Sequence, residues 1–193
     1  KCHQMSLLRL YRRPGLTEAS VSALRQASRH RLSRPVDIID TEVCFYIQSA
    51  SDLSETDQER LRWLLGETFD PDGLGGTAFL DRFDVVEYGP RMSFTTAWST
   101  NATAIFHACG LDKVERIERS RRYHLSALPE GEDRHRFDQL AHDRMTEQPY
   151  VAPLSSFESG VTPEPVQAIP LIEEGRVALE RINKEMGLAF DEW

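Results

Sequence analysis

The chain has 193 residues, of which 40% are hydrophobic and 28% are charged, and its formal net charge at pH 7 is -8. This acidic balance argues against a module that binds nucleic acid, since such modules are normally basic. No apolar run approaches the ~20 residues that a membrane-spanning helix needs, so the sequence predicts neither a nucleic-acid partner nor a membrane partner. The length suits one domain, or one domain with an appendage.

The three cysteines, Cys2, Cys44 and Cys109, stand at scattered positions. They match no disulfide framework and no zinc spacing, so we expect no metal and a reducing, cytoplasmic setting. No signal peptide is visible, because residues 1–4 are short and polar. A nucleophilic triad and a phosphate-binding loop cannot be assembled from the sequence either.

The first half of the chain alternates strand and helix patterns. We predict a strand over residues 5–11, a helix from residue 17 to about 31, a strand over 36–49 and a helix that begins at residue 54. Thr17 and Ser54 are suited to cap the two helices, since a short side-chain oxygen accepts from free first-turn N–H groups. Residues 70–76 are rich in Gly, Asp and Pro, and we expect a disordered loop there.

The second half repeats this order of elements. We predict a strand over residues 83–88, a helix over 99–109, a strand over 113–125 and a helix from about 132 to 145. The strands at 43–47 and 121–125 occupy matching places in the two halves. We therefore expect an α+β fold, in which duplicated βαβα units form a mainly antiparallel four-stranded sheet with helices on one face.

One stretch, over residues 89–101, joins the third strand to the third helix and reads GPRMSFTTAWSTN. Gly89-Pro90 is expected to stop the strand, because proline cannot donate to a ladder. One of residues 99–101 can then cap the helix. A loop so dense in hydroxyls, with Arg91 beside it, could bind an anion at the helix N-terminus. The same residues also fit an ordinary capped start of a helix.

The fourth strand departs from simple alternation, because Arg119 and Arg121 share the parity of the apolar Ile117. Either the strand carries a bulge, or this end of it faces something other than a core. Bidentate pairs with phosphate or carboxylate groups are one interpretation of these arginines. Surface pairing with Glu115 and Glu118 is another.

The composition changes after residue 145. Five of the ten prolines fall between residues 149 and 170, where little regular structure is expected because proline lacks a donor N–H. Apolar side chains such as Phe157 and Ile169 are too frequent there for a free tether, and they predict an extended strap laid on a surface. A last helix is expected over residues 174–186, with Gly187 as its stop.

We accordingly divide the chain at residue 145. Residues 5–145 form the predicted N-terminal domain, with halves at about 5–66 and 82–145, and residues 146–193 form a linker that contains the last helix. The polar run HDRMTE, over residues 142–147, lies at this boundary. Its cations fit a helix C-terminus, but a domain junction is also a common place for a pocket.

Three stretches carry a resemblance to a known family. They are the GPRMSFTTAWSTN stretch, the run RIERSRRY over residues 116–123, and the run HDRMTEQ over residues 142–148. All three resemble segments of phosphoribosylformylglycinamidine synthase in its large single-chain form, in the family's order. The resemblance extends from about residue 7 to residue 193, and it covers only the family's N-terminal domain and the linker after it.

This resemblance implies a part of an ATP- and glutamine-dependent ligase that amidates formylglycinamide ribonucleotide in purine synthesis. The family's synthetase and glutaminase domains would be the partners, and ATP and Mg would belong to the whole enzyme. No catalytic residue or cofactor is expected in this chain, which should be inactive alone. The family fold also resembles a fused pair of the small subunits of the multi-subunit enzyme.

The shared motif residues are expected to pack against the synthetase domain and to rim its substrate cleft. These residues are Arg91, Ser93, Thr95, Thr96, Ser99, Thr100, Asn101, Arg119, Arg121, Arg122, Tyr123, His142, Asp143, Arg144, Thr146 and Glu147. A second hypothesis is a free-standing α/β binding or regulatory module of shared ancestry. The reading frame beyond residue 193 distinguishes the two hypotheses.

Overall fold

The computed structural model of the protein describes residues 6–80, 83–158, 160, 165–166, 168–188 and 190. Residue 5, where the first strand was expected to begin, and most of residues 159–164 therefore lie outside the described part. The chain divides into two compact units, residues 1–159 and residues 160–193. Within the described ranges, no helix is long and apolar enough to cross a membrane.

The first unit is an α+β fold built on one antiparallel sheet, as predicted. Its described strands are β1 Ser6–Arg12, β2 Ile38–Ser49, β3 Leu74–Gly75, β4 Val85–Pro90, β5 Val114–Leu125 and β6 Glu147–Tyr150. They are ordered β3-β1-β2-β5-β4-β6, and every neighbouring pair is antiparallel. The twelve-residue β2 and β5 lie at the centre of the sheet.

The prediction of four strands is wrong, because a short strand lies at each edge of the described sheet. β3 arises in the segment expected to be a disordered loop, where Gly75 pairs with Tyr11 of β1. β6 pairs with β4 through Glu147 and Pro90. Two and four residues are too few to show the period-two alternation by which a strand is recognised in a sequence.

Four helices pack around the sheet: α1 Glu18–Arg31, α2 Glu55–Leu65, α3 Ala97–Ala108 and α4 Gly131–Ala141. Thr17 caps α1 and Ser54 caps α2, as predicted, and Ser54 forms a reciprocal capping box with Asp57. α4 ends at Ala141 rather than at residue 145. It ends there because His142 adopts an extended conformation, with φ -145 and ψ 159.

One face of the sheet, which we call the helix-side face, carries two apolar clusters. In the first, Leu61 of α2 and Phe106 of α3 pack with Phe45 and Ile117. The second contains Phe137 of α4; its strand members are Ile38, Val86, Tyr88, Tyr123 and Leu125. Full burial of a large apolar side chain contributes about 1.5–3 kcal/mol, so these clusters are a main source of stability.

The opposite face, which we call the loop-side face, holds buried charges. Arg122 pairs with Glu42, which is fully buried, and with Glu87 at 3.3 Å. Glu87 also accepts hydrogen bonds from the hydroxyls of Tyr46 at 2.7 Å and Ser120 at 2.6 Å. These bonds offset the free-energy cost of burying the charged groups.

Loops cover this loop-side face. Phe79 and Leu154 pack at the edge of a cluster that contains Tyr46, Tyr150 and Phe157. The N–H of Phe79 donates to Glu42 at 2.8 Å, so the covering loop is bonded to the buried charge network. The face is therefore closed by chain segments that have no helical or strand period of their own.

The second unit contains two helices, α5 Leu171–Glu174 and α6 Arg176–Met186. Gly175 joins them at φ 56, and Gly187 follows α6 in the left-handed region at φ 64. Residues without a Cβ adopt this region at little cost, which explains why α6 ends there.

Candidate functional site

The capping residue of α3 is Thr96, and the prediction that a residue from 99 to 101 caps this helix is wrong. The Thr96 Oγ1 accepts from the N–H of Ser99 at 3.0 Å. The Thr96 hydroxyl donates to one carboxylate oxygen of Glu118 at 2.7 Å, and its N–H donates to the other at 3.1 Å. A partner 22 residues further along the chain therefore decides where the helix begins.

Glu118 connects the first two family motifs. It is 1% exposed and pairs with Arg116 at 3.0 Å. Arg116 also donates to the carbonyl of Phe94 at 2.6 Å and lies over the Phe157 ring at 4.5 Å. Loop residues 91–96 and the segment around Phe157 are therefore both fixed to β5.

β4 ends at Gly89-Pro90, as predicted, but both residues belong to the strand, which was expected to end at residue 88. Pro90 pairs with Glu147 on β6, and the carbonyl of Pro90 accepts from the Tyr150 hydroxyl at 2.7 Å. A Cβ at position 89 would lie 2.6 Å from the Tyr150 hydroxyl oxygen, so only glycine fits there. The strand can include Pro90 because no described neighbour needs the backbone N–H that proline lacks.

The third motif is a tight turn between α4 and β6. The N–H of Glu147 donates to the carbonyl of Asp143 at 2.7 Å, and the N–H of Asp143 donates to the Glu147 carboxylate at 3.0 Å. The N–H of Met145 donates to the Asp143 carboxylate at 2.8 Å and holds the pKa of that group below its usual value. The turn is thus closed by its own polar groups.

All three motifs meet at this turn. From the first motif, Arg91 donates through its guanidinium to the carbonyl of Arg144 at 2.9 Å, and through its N–H to the carbonyl of Thr146 at 3.0 Å. From the second motif, Arg121 pairs with Glu147 at 2.5 Å. We call this place, formed by Arg91, Arg121 and the turn, the motif junction.

A cavity of about 200 Å³ opens at the motif junction, and Arg91, His142, Arg144 and Glu147 are among its lining residues. The His142 ring stacks on Tyr88 with centroids 5.0 Å apart. The Nδ1 atom of His142 is buried and has no hydrogen-bond partner among the described residues. The cavity therefore presents both signs of charge, and one of its lining residues has a buried ring nitrogen without a described partner.

Tyr88 fixes the floor of this region. Its hydroxyl donates to Asp138 at 2.6 Å, and Asp138 pairs with Arg134 at 2.7 Å. Burial and the Asp138 carboxylate raise the pKa of Tyr88. The phenol therefore remains a protonated donor at neutral pH.

The arginines of β5 divide between the two faces of the sheet. Arg119 and Arg121 lie on the helix-side face, whereas Arg122 lies on the loop-side face. The register between β2 and β5 is continuous through these residues and shifts only near the strand ends. The strand therefore does have an irregularity, opposite Gln48 and Ser49, but it does not account for the parity of Arg119 and Arg121.

The predicted surface pairs of these arginines with Glu115 and Glu118 are also not formed. Glu115 accepts from Gln48 at 3.0 Å, and Glu118 pairs with Arg116. Arg119 instead lies over the Trp98 ring, with its Cζ 4.8 Å from the centroid. This end of the strand faces an aromatic ring and the motif junction.

The remaining motif residues lie outside the junction. Tyr123 is buried and donates to the carbonyl of Ala141 at 3.3 Å. Ser99 is buried, and its hydroxyl oxygen has no partner among the described residues. The side chains exposed to solvent are Ser93, Thr95, Thr100 and Asn101.

Sequence reasoning missed several residues that organise this region, above all Glu118, Tyr88 and Asp138. Glu118 follows the apolar Ile117 within a long strand, and an acid in that place was the available signal. Asp138 carries no such signal, because an acid on an amphipathic helix is normally solvated. Among the described side chains, no three His, Cys, Asp or Glu groups are placed to hold a metal ion.

Comparison with known proteins places the chain in a family. Residues 42–154 match the family described as "Formylglycinamide ribonucleotide amidotransferase N-terminal". A Dictyostelium discoideum protein named phosphoribosylformylglycinamidine synthase is 41% identical over 97% of this chain. An Arabidopsis thaliana protein, named as the probable chloroplastic/mitochondrial form of that synthase, is 46% identical over 96% of the chain.

A Homo sapiens protein with the same synthase name is 36% identical over 80% of this chain. The chain spans only 15%, 14% and 12% of the lengths of these three relatives, respectively. The family match covers more than half of the chain and includes most of β2 and all of β4, β5 and β6. The chain therefore belongs to the family of formylglycinamide ribonucleotide amidotransferase N-terminal domains.

Proposed function

We propose that this chain is the N-terminal part of a phosphoribosylformylglycinamidine synthase and that its role there is structural. In this proposal it docks on the synthetase domain of the same polypeptide and rims the substrate cleft of that domain. The observation that carries the proposal is the convergence of the three family motifs at the motif junction. Their polar groups bond mainly to one another, as expected of a scaffold that holds a surface in shape.

The chemistry of the whole enzyme lies outside this chain in our proposal. The synthetase and glutaminase domains would use formylglycinamide ribonucleotide, glutamine, ATP and Mg, and this chain would bind no cofactor. Exposed apolar side chains near the motif junction, such as Met145 at 83% and Val151 at 102% exposure, suit a surface that another domain covers. We place the protein in the cytoplasm, although the named compartment of the Arabidopsis relative differs.

We also propose that the first unit arose by duplication. The order β1-α1-β2-α2 is followed by β4-α3-β5-α4, and the central strands β2 and β5 have equal length. The short strands β3 and β6 then take corresponding places at the two edges. Superposition of the two halves tests this idea: β2 must fall on β5 and β1 on β4.

Residues 146–193 are proposed as the linker to the synthetase domain. Its first part is already held, because Phe157 is 6% exposed and lies under Arg116. In this proposal the part after residue 158 docks on the synthetase domain. Limited proteolysis should therefore cut this chain faster between residues 159 and 173 than it cuts the full synthase there, and equal rates would contradict the proposal.

Complementation in a strain that lacks the synthase tests the function. Expressed alone, the chain should not restore growth without purines, and the purified chain should not turn over the three substrates. Co-expression with a synthase that lacks the matching N-terminal residues should restore growth. Turnover by the chain alone would contradict the structural role, and a stop codon directly after residue 193 would favour the free-standing module.

A further inference from the structure

Three arginines converge on the helix-side face between the two apolar clusters. Arg12, Val43 and Arg121 form one cross-strand row, and Phe45 and Arg119 pair in the adjacent row of the same face. Burial lowers the pKa of Arg119 most, and the nearby Arg12 and Arg121 lower it further, while Glu147 opposes them. Convergence of like charges is unfavourable unless something else offsets it.

Two aromatic rings hold two of these arginines in place. Phe45 and Trp98 stack with centroids 6.1 Å apart and an interplanar angle of 27°. Arg12 lies over Phe45 at 5.5 Å, and Arg119 lies over Trp98 at 4.8 Å. Cation–π contacts use the faces of the guanidinium groups and leave their N–H edges able to donate.

The counter-charges do not balance this cluster. Arg12 pairs with Glu67 at 3.3 Å, and Arg121 pairs with Glu147 at 2.5 Å. Arg119 has no ion pair or hydrogen bond within the part of the chain that the structure describes, and the buried Nε of Arg121 also has no hydrogen-bond partner there. One positive charge is therefore left over, in a protein whose net charge is -8.

We propose that Arg119, flanked by Arg12 and Arg121, is a binding site for a carboxylate group. A single uncompensated guanidinium matches the single charge of a carboxylate, and its planar fork suits bidentate binding of the two oxygens. A phosphate dianion would bring one negative charge too many. The Trp98 ring lies against one face of the Arg119 guanidinium and fixes the direction of its N–H groups.

The carboxylate can come from two sources. One is a small dissolved carboxylate. The other is an Asp or Glu side chain in the remainder of the synthase, and only this second source rests on the proposed function. Arg119 is exposed to solvent, so both sources can reach it.

A fluorescence titration of this chain tests the first source. Trp63→Phe and Trp193→Phe leave Trp98 as the single indole, and acetate, which carries one negative charge, is added with inorganic phosphate as the comparison. We expect a saturable change with acetate that Arg119→Gln weakens about tenfold, through the loss of one charge-assisted pair. Arg136→Gln, which removes an arginine paired with Glu132 on α4, is the matched control and should change nothing.

Association of the chain with a synthase that lacks its N-terminal residues tests the second source. We expect Arg119→Gln to weaken this association about tenfold and Arg136→Gln to leave it unchanged. Dependence on Arg119 in either measurement supports the site and identifies the source. Tighter binding of phosphate than of acetate, or no dependence on Arg119 in both measurements, overturns it.

Failure of the proposed function and failure of the carboxylate site can be told apart. If the chain does not associate with the truncated synthase at all, the proposed function is contradicted. The acetate titration then decides the carboxylate site alone, and in that case a lack of saturation overturns it. Thermal unfolding followed by circular dichroism confirms that each variant is folded before it is titrated.

Discussion

The two faces of the central sheet are buried by different means. On the helix-side face, Phe45, Ile117 and Val86 are covered by helices, and the apolar contacts need no particular polar partner. On the loop-side face, Glu42 and Glu87 are buried beside Arg122, and each charge depends on a specific bond. The comparison indicates that the first face should tolerate small changes of shape, whereas the second should not tolerate the loss of one charge.

The sharpest way to break this comparison is Arg122→Met. Both Glu42 and Glu87 would then be buried without their cation, which costs about 3–5 kcal/mol of the free energy of unfolding. Urea unfolding followed by circular dichroism measures the loss. Combining Arg122→Met with Glu42→Gln and Glu87→Gln removes the charges together and should recover most of it. A single variant as stable as the parent chain would show that the network does not stabilise this face.

Two capping threonines give a matched pair. Thr17 is exposed and forms only local bonds through its side chain, so Thr17→Ala should cost about 1 kcal/mol. Thr96 also donates to the buried Glu118, so Thr96→Ala should cost about 2–4 kcal/mol. Thr96→Ser keeps the hydroxyl and should stay close to the parent chain. Equal losses for the two alanine variants in thermal unfolding would mean that the Glu118 bond adds nothing.

Ile117→Val tests the tolerance of the helix-side face. Ile117 is fully buried in an apolar cluster, and removing one methylene group there should lower the free energy of unfolding by about 1 kcal/mol. The midpoint of urea unfolding should fall while its slope stays constant. A loss as large as that of Arg122→Met would remove the distinction between the faces.

An expected effect of about the same size is the alkaline response of Cys44 on the loop-side face. Burial raises the pKa of this thiol from 9.0 to about 12. The buried, protonated thiol therefore makes its full contribution to the free energy of unfolding below pH 9. This contribution is lost as the pH rises towards 12, by up to about 1.4 kcal/mol per pH unit. Urea unfolding at pH 8 and pH 10 should show a smaller decrease for Cys44→Ala than for the parent chain. Cys109→Ala is the control, and an identical pH response of all three proteins would contradict the shift.

The sequence predicted the helix-side face better than the junction. Alternation in β2 and the apolar periods of the helices depend on the residues themselves, and they indicated the core. The parity of Arg119 and Arg121 also indicated correctly that this end of β5 faces something other than a core. The cap of α3 could not be predicted, because Thr96 and Ser99 have similar capping chemistry and the choice is made by Glu118.

The sequence indicated the motifs of the candidate site, but it did not predict that they meet at one position in the fold. The junction depends on bonds from Arg91 and Arg121 to a turn that lies far along the chain, and no local pattern encodes such distances. The edge strands were missed for a related reason. β3 and β6 exist because β1 and β4 offer them partners, so their formation is decided by tertiary contacts.

These two edge strands have a consequence for solubility. An exposed sheet edge offers unpaired N–H and C=O groups to which a neighbouring molecule can add a strand and begin an aggregate. Here one edge is only two residues long, Leu74–Gly75, and the other, Glu147–Tyr150, contains Pro149, which has no N–H to donate. A strand from a second copy of the protein therefore cannot extend the sheet at either edge, because one edge is too short and the ladder of the other is interrupted.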